Sequence, residues 1–216
     1  MSKIKIPKYT LKEELINAIS HGLGAVFGIV ALVLTILVSV KHKSTLSIVC
    51  ASIYGSSLII LYLISCLYHS FSPNLGAKKV FRVLDHCSIY LLILGSYTPF
   101  LLICLNRRFG IILFLIMIIL SITCIVLNAV DIEKFRKVSM FSYLALGWLI
   151  ILPIKQILSF LPTPAVLLLV LGGIVYTIGA VIFLIGGRVK YMHSLWHIFV
   201  LIGSILHFLC IYLYVL

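Results

Sequence analysis

Two histidines four residues apart on a helix stand one turn from each other on one face, so a single helix can offer both imidazoles to one metal ion. Met192-His193-Ser194-Leu195-Trp196-His197 carries that spacing where the last apolar run begins. Two imidazoles leave a coordination shell incomplete, and Ser65-Cys66-Leu67-Tyr68-His69 offers a third. Ser65 and His69 share a helical face, so His69 can ligate while Ser65 points into the same cavity one turn deeper. Three histidines and a water make the open arrangement of a catalytic zinc site, where the ion brings the pKa of bound water to around 7. Each histidine alone reads as a hydrogen-bonded group in a helix interface. The constellation, with Asp85 at the same depth, favours a metal.

Asp85 is one of only five acidic residues, and the other four, Glu13, Glu14, Asp131 and Glu133, fall at the edges of apolar runs or in loops. A carboxylate within an apolar span is costly unless it is paired or faces water. It could orient an imidazole, accept a hydrogen bond from bound water or serve as general base; the competing reading is a partner for Arg82, three residues earlier. The pair His193 and His197 is not the zinc-protease motif, because Ser194 stands where that motif carries its catalytic Glu. In a hydrolase the proton-transfer group would come from another helix, and Asp85 is the best candidate. Ser65 could donate to bound water or an oxyanion, or simply bond its own backbone. Glu14, Asn17 and His21 form a polar stripe read as a helix contact with capping. His86 sits about 100° around the helix from Asp85, His207 lies about 15 Å beyond His197, and His42 is a loop residue, so none is expected to share the ion.

These groups must be positioned by membrane helices. With 63% hydrophobic and 10% charged residues and a mean hydropathy of +1.27, the 216-residue chain lies outside soluble globular usage. A span needs about 20 helical residues, and that length finds seven: Ile19 to Val40, Leu46 to His69, Val83 to Leu105, Ile111 to Val130, Phe141 to Ile157, Ala165 to Ile185 and Met192 to Val215. Lipid offers no partner to an unpaired backbone group, so each is a helix. Lys3, Lys5, Lys8, Lys12, Lys78, Lys79, Arg82, Lys134, Arg136, Lys137, Arg188 and Lys190 fall on one side, against Lys41, Lys43, Arg107, Arg108 and Lys155 on the other. That bias places the N-terminus in the cytoplasm and, after seven crossings, the C-terminus outside. His69, His193, His197 and Asp85 then lie together towards the cytoplasmic leaflet.

The formal charge of +12 is scattered between apolar runs rather than gathered on one face, which reads as topology signals and headgroup contacts and excludes a nucleic-acid partner. The six cysteines sit in apolar runs without a C-x-x-C pair, so no disulfide framework is expected. The first apolar run is too long for a signal peptide and is retained as a span. Pro99 and Pro153 are expected to kink the third and fifth spans, and Gly172-Gly173 and Gly186-Gly187 to permit close packing or a bend. The expected architecture is an all-α membrane protein, one seven-transmembrane-helix bundle over residues 1–216 with a short cytoplasmic segment 1–18.

Taken together, Glu14-x-x-Asn17-x-x-x-His21-Gly22, Ser65-x-x-x-His69, Asp85 followed by Gly95-Ser96-Tyr97-Thr98-Pro99, and His193-x-x-x-His197 resemble the hemolysin III family of bacterial membrane proteins, relatives of the progestin and adipoQ receptors. The resemblance covers nearly the whole chain. It implies a multi-pass protein of the bacterial plasma membrane with seven helices, a cytoplasmic N-terminus, and zinc held by His69, His193 and His197 with Ser65 and Asp85 beside it. The wider superfamily includes alkaline ceramidases, which implies hydrolysis of a lipid amide and a lipid substrate or ligand as partner. The family name implies a pore-forming, haemolytic alternative; the receptor relatives imply a zinc-stabilised lipid or ligand sensor. The chain departs from the receptor branch in having no long N-terminal domain or extracellular tail, which argues against hormone reception. The sequence read in this way leaves substrate and oligomeric state open.

Overall fold

A computed structural model describes residues 4–185 and 189–216; the expected Gly186-Gly187 bend and the charges of Lys3 and Arg188 lie outside the described residues. The elements are α1 (Leu11–Lys41), α2 (Thr45–Ser70), α3 (Gly76–Ile103), α4 (Arg107–Asp131), α5 (Arg136–Gly147), a short 3₁₀ turn (Leu149–Ile151), α6 (Ile154–Phe160), α7 (Thr163–Ile185) and α8 (Met192–Tyr214). Helices α1, α2, α3, α4, α7 and α8 are each long and apolar enough to cross a membrane, and the pair formed by α5 and α6 adds a seventh candidate if its two arms count as one span.

That pair is bent by 55°, and Pro153 stands in the break as the N-cap of α6. Proline has no N–H to continue a helix and its ring crowds the preceding turn, so the expected kink falls where the sequence put it. At Pro99 helix α3 continues without interruption. The ends of the bent pair meet opposite ends of the bundle. Next to the start of α5, Glu133 pairs with Arg82 of α3, whereas in α6 the Gln156 Oε1 accepts from the Asn106 amide, between α3 and α4, at 2.9 Å.

The helices are patterned inside out. In α1 the buried positions are Glu13, Asn17, His21, Gly24, Gly28, Ala31, Thr35 and Ser39, spaced by three or four, while Leu15, Ile19, Leu23, Val26, Val30, Val33 and Leu37 are exposed. Lipid tails solvate leucine as well as a protein interior does, so small and polar residues are what the inter-helix contact retains. A Cβ on Gly24 would stand 2.4 Å from the Tyr62 ring of α2, which is how closely the first two helices approach. Tyr62 carries the contact onward, its hydroxyl donating to Ser204 Oγ of α8 at 2.7 Å.

Two helices begin earlier than their apolar runs. Thr10 caps α1 with Glu13 in a reciprocal capping box, so the helix starts about two turns before Ile19. Helix α3 starts at Gly76 rather than Val83, which draws Lys78, expected as a topology charge, and Arg82, expected as a topology charge or a partner of Asp85, into buried positions.

Candidate metal centre

Three helices build the site. His69 comes from the last turn of α2 and His193 and His197 from the first two turns of α8, while α1 passes alongside both. All three histidines are buried, and their potential ligand atoms lie within 4.8 Å of one another. His193 Nε2 is 3.3 Å from His69 Nε2 and 3.1 Å from His197 Nε2.

Glu14 fixes the tautomer of His69. Its Oε2 lies 2.6 Å from His69 Nδ1, so that nitrogen carries the proton it donates, and Nε2 turns a lone pair towards His193. A carboxylate behind a ligating imidazole orients the ring and raises its basicity. Glu14 is fixed in turn by Lys78, whose Nζ donates to Glu14 Oε1 at 2.6 Å and to the Phe71 carbonyl at 2.9 Å. Lys78 is fully buried, and pairing with hydrogen bonds on both partners is what permits a charge there.

Other α1 residues hold the second ligand helix. His21 stacks on His197 with ring centroids 3.7 Å apart. Glu13, capping its own helix through Oε2, also accepts the Tyr191 amide on Oε1 at 2.8 Å. Tyr191 is the N-cap of α8 in the left-handed region, with φ 65°, a conformation strained for a non-glycine residue. The Glu13 contact therefore pins the entrance of α8 two residues before His193.

A cavity of about 420 Å³ opens beside the cluster, with Tyr9, Tyr68, Asp85, His86, Phe183 and His193 among its walls. Tyr9, just before α1, stacks on His193 at 5.0 Å between centroids. Burial, with the Glu14 carboxylate nearby, holds its phenol above the ordinary tyrosine range, so it stays an O–H donor at neutral pH.

Asp85 lines the cavity beside the cluster, whereas Ser65 is not among its walls. Asp85 shares the cavity with His193 but is not one of the group that could hold the ion. It is not the partner of Arg82 either, since the Arg82 guanidinium pairs with Glu133. Ser65 Oγ is buried without a hydrogen-bond partner among the described residues, one turn below His69. His86 Nδ1 rests on the Arg82 carbonyl at 2.9 Å, His207 Nε2 contacts the Leu169 carbonyl at 3.2 Å, and His42 Nδ1 contacts the Leu216 carbonyl at 2.8 Å. All three stand outside the cluster, as their spacing implied.

The α1 stripe of Glu14, Asn17 and His21 makes the helix contact its spacing implies, and the partners of that contact are the clustered histidines: Asn17 Nδ2 is 3.4 Å from His69 Nδ1, beside the Glu14 and His21 contacts above. Spacing does not say which helices the stripe meets. Nothing in the chain marks Lys78 as the buried counter-charge of Glu14.

The donor set fits a tetrahedral ion of zinc's size. Bonds of about 2.0–2.1 Å at tetrahedral angles separate donor atoms by about 3.3 Å, close to the 3.3 and 3.1 Å that separate His193 Nε2 from His69 Nε2 and His197 Nε2. Converging nitrogens cannot all satisfy one another by hydrogen bonding, because the proton on His69 is committed to Glu14; a cation resolves that conflict.

The haemolysin-III-related family model matches residues 9–208. Hemolysin-3 of Bacillus cereus is 42% identical over 95% of this chain and 93% of its own length, and the hemolysin-3 homolog of Bacillus subtilis (strain 168) 40% identical over 95% and 96%. The human monocyte to macrophage differentiation factor is 29% identical over 76% of this chain and 69% of its own. No solved structure gives a significant match. A match across four fifths and more of the chain, carried by relatives of like length, makes this multi-pass membrane protein a member of the haemolysin-III-related family.

Proposed function

We propose that this protein is a zinc-dependent hydrolase of a lipid amide or ester that reaches the site from the bilayer. The observation that carries this reading is the meeting of three imidazole nitrogens with a cavity that also holds a carboxylate, Asp85. A zinc ion held by His69, His193 and His197 would supply Lewis acidity, polarising a carbonyl and lowering the pKa of a water. Asp85 would accept a proton from the attacking water and return it to the leaving group. Ser65, whose buried hydroxyl has no hydrogen-bond partner among the described residues, would donate to the developing oxyanion. Glu14 keeps His69 in the ligating tautomer. Trp148, Tyr176, Trp196 and Val200 line an apolar chamber of about 110 Å³ reaching the α8 turn that carries His197, which suits an acyl chain.

We read residues 4–216 as one transmembrane domain of seven crossings, the bent pair serving as the fifth, with the N-terminus cytoplasmic and the C-terminus outside. The lysine and arginine bias supports that orientation, and the contacts of Glu133 and Gln156 support the fifth crossing. The site then faces the cytoplasmic leaflet.

The test is turnover of a lipid amide and ester panel by purified protein in nanodiscs. Hydrolysis should vanish with chelator, return with zinc, and fall by about 10²–10⁴-fold in Asp85→Asn with zinc content unchanged. Full turnover by His193→Ala would refute the proposal. The name of the Bacillus cereus relative favours a second reading, a haemolytic pore. Haemolysis by purified protein that persists in chelator and in all three histidine variants would establish that reading instead.

A further inference from the structure

The wall of the cavity beside the cluster is also cationic: Lys8 from the segment before α1, Arg82 of α3 and Arg136 opening α5 all line it, against the single carboxylate of Asp85. Lys8 and Arg136 are exposed side chains with no acidic partner among the described residues. Arg82 is 7% exposed, its guanidinium tied to Glu133 on one side while Nε, buried, has no hydrogen-bond partner. A buried N–H left unsatisfied costs about 1–3 kcal/mol, and here it belongs to a residue lining an open cavity. Glu133, paired with Arg82 and near enough to Arg136 to feel its charge, offsets one positive charge of the three, and a net positive wall faces a volume of about 420 Å³, more than a phosphate needs and enough for a glycerophosphate.

We propose that this cationic wall is a binding site for a phosphate monoester, and that the ligand it serves is a phosphate-bearing single-chain lipid whose head lies on Arg136, Lys8 and Arg82. Guanidinium groups match phosphate oxygens with paired N–H donors, and two lie on this wall. His193 lines the same cavity, so a lipid whose head is held by these cations has its ester or amide within the space that the histidine cluster shares. The substrate class this names rests on the hydrolase reading; the binding site does not.

Binding is read by calorimetry on zinc-loaded protein in phosphatidylcholine nanodiscs, with lysophosphatidate, lysophosphatidylcholine, glycerol 3-phosphate and inorganic phosphate as probes. Lysophosphatidate should bind at least about tenfold more tightly than lysophosphatidylcholine, and Arg136→Gln and Lys8→Gln, both at exposed positions, should each remove most of that preference while leaving zinc content unchanged. If inorganic phosphate and glycerol 3-phosphate bind comparably to the lipid, with the same dependence on Arg136, the site stands and a soluble phosphate suffices to fill it. If only the lipid binds, the site stands as a headgroup site. Equal affinity for the two lysolipids, or phosphate binding indifferent to Arg136→Gln and lost with chelator, overturns the inference. A protein that binds lysophosphatidate but hydrolyses nothing refutes the hydrolase reading alone; one that hydrolyses a neutral lipid amide and shows no phosphate preference refutes this inference alone.

Discussion

At the scale of single residues, Glu14 matters to the site as much as the histidines do. Its carboxylate meets both His69 Nδ1 and Lys78 Nζ at 2.6 Å, so it joins a metal ligand to a buried cation. Glu14→Gln should keep the fold and weaken zinc affinity by about 10–100-fold, measured by competition with a chelator of known strength. Unchanged affinity would mean that the contact is incidental. Lys78→Met is a harsher change, because it strands the Glu14 charge in a nearly buried position; a loss of about 3–5 kcal/mol of stability is expected. Glu14→Gln in the same chain should recover much of it, a non-additivity visible in thermal unfolding in detergent. The histidine cluster was legible from the four-residue spacing of His193 and His197 taken together with His69 at the same depth. Lys78 was not, because a lysine that pairs across helices and one that meets headgroups look alike in one dimension.

At the scale of elements, the ligands depend on how closely α1 lies against α2. Gly24 sets that distance, and the Tyr62 ring it faces cannot retreat, being fully buried and hydrogen-bonded to Ser204 on α8. Gly24→Ala should therefore cost about 1–3 kcal/mol by overpacking and, by easing α1 away, loosen zinc as well. Adding Tyr62→Leu should restore part of both, whereas a full effect that survives the second substitution would place the cause elsewhere. Helix lengths were legible where apolar runs defined them, as in α2, α4 and α7. They were misjudged where capping or buried charge extended a helix past its apolar run, at Thr10 before α1 and in the lysine-bearing first turn of α3. The fifth span illustrates the opposite limit. Proline located the break at Pro153, yet the same residue type left α3 unbroken at Pro99, because the local sequence does not carry the packing that decides whether a helix yields.

For the whole molecule, α1 and α8 run the same way through the bundle: Glu13 meets Tyr191 where both helices begin, and His42 meets Leu216 where both end. An odd number of crossings between two membrane faces follows only if α5 and α6 together traverse the bilayer. A reporter active only outside the cytoplasm, fused after Leu216, should be active, and the same reporter fused after Lys134 should be silent; activity at both positions would contradict the orientation. The overall pattern of spans was legible because the bilayer asks a similar length of apolar helix at each crossing. The meeting of α1, α2 and α8 was not, since no short-range signal says which helices touch.

The account rests on a metal at His69, His193 and His197, and X-ray absorption at the zinc edge on purified protein, alongside elemental analysis, addresses that most directly. About one zinc per chain with three imidazole nitrogens and one exchangeable oxygen ligand is expected, with the metal lost in His69→Ala and retained in Asp85→Asn. Protein free of stoichiometric metal, or zinc enclosed by four protein ligands with no open position, would contradict it.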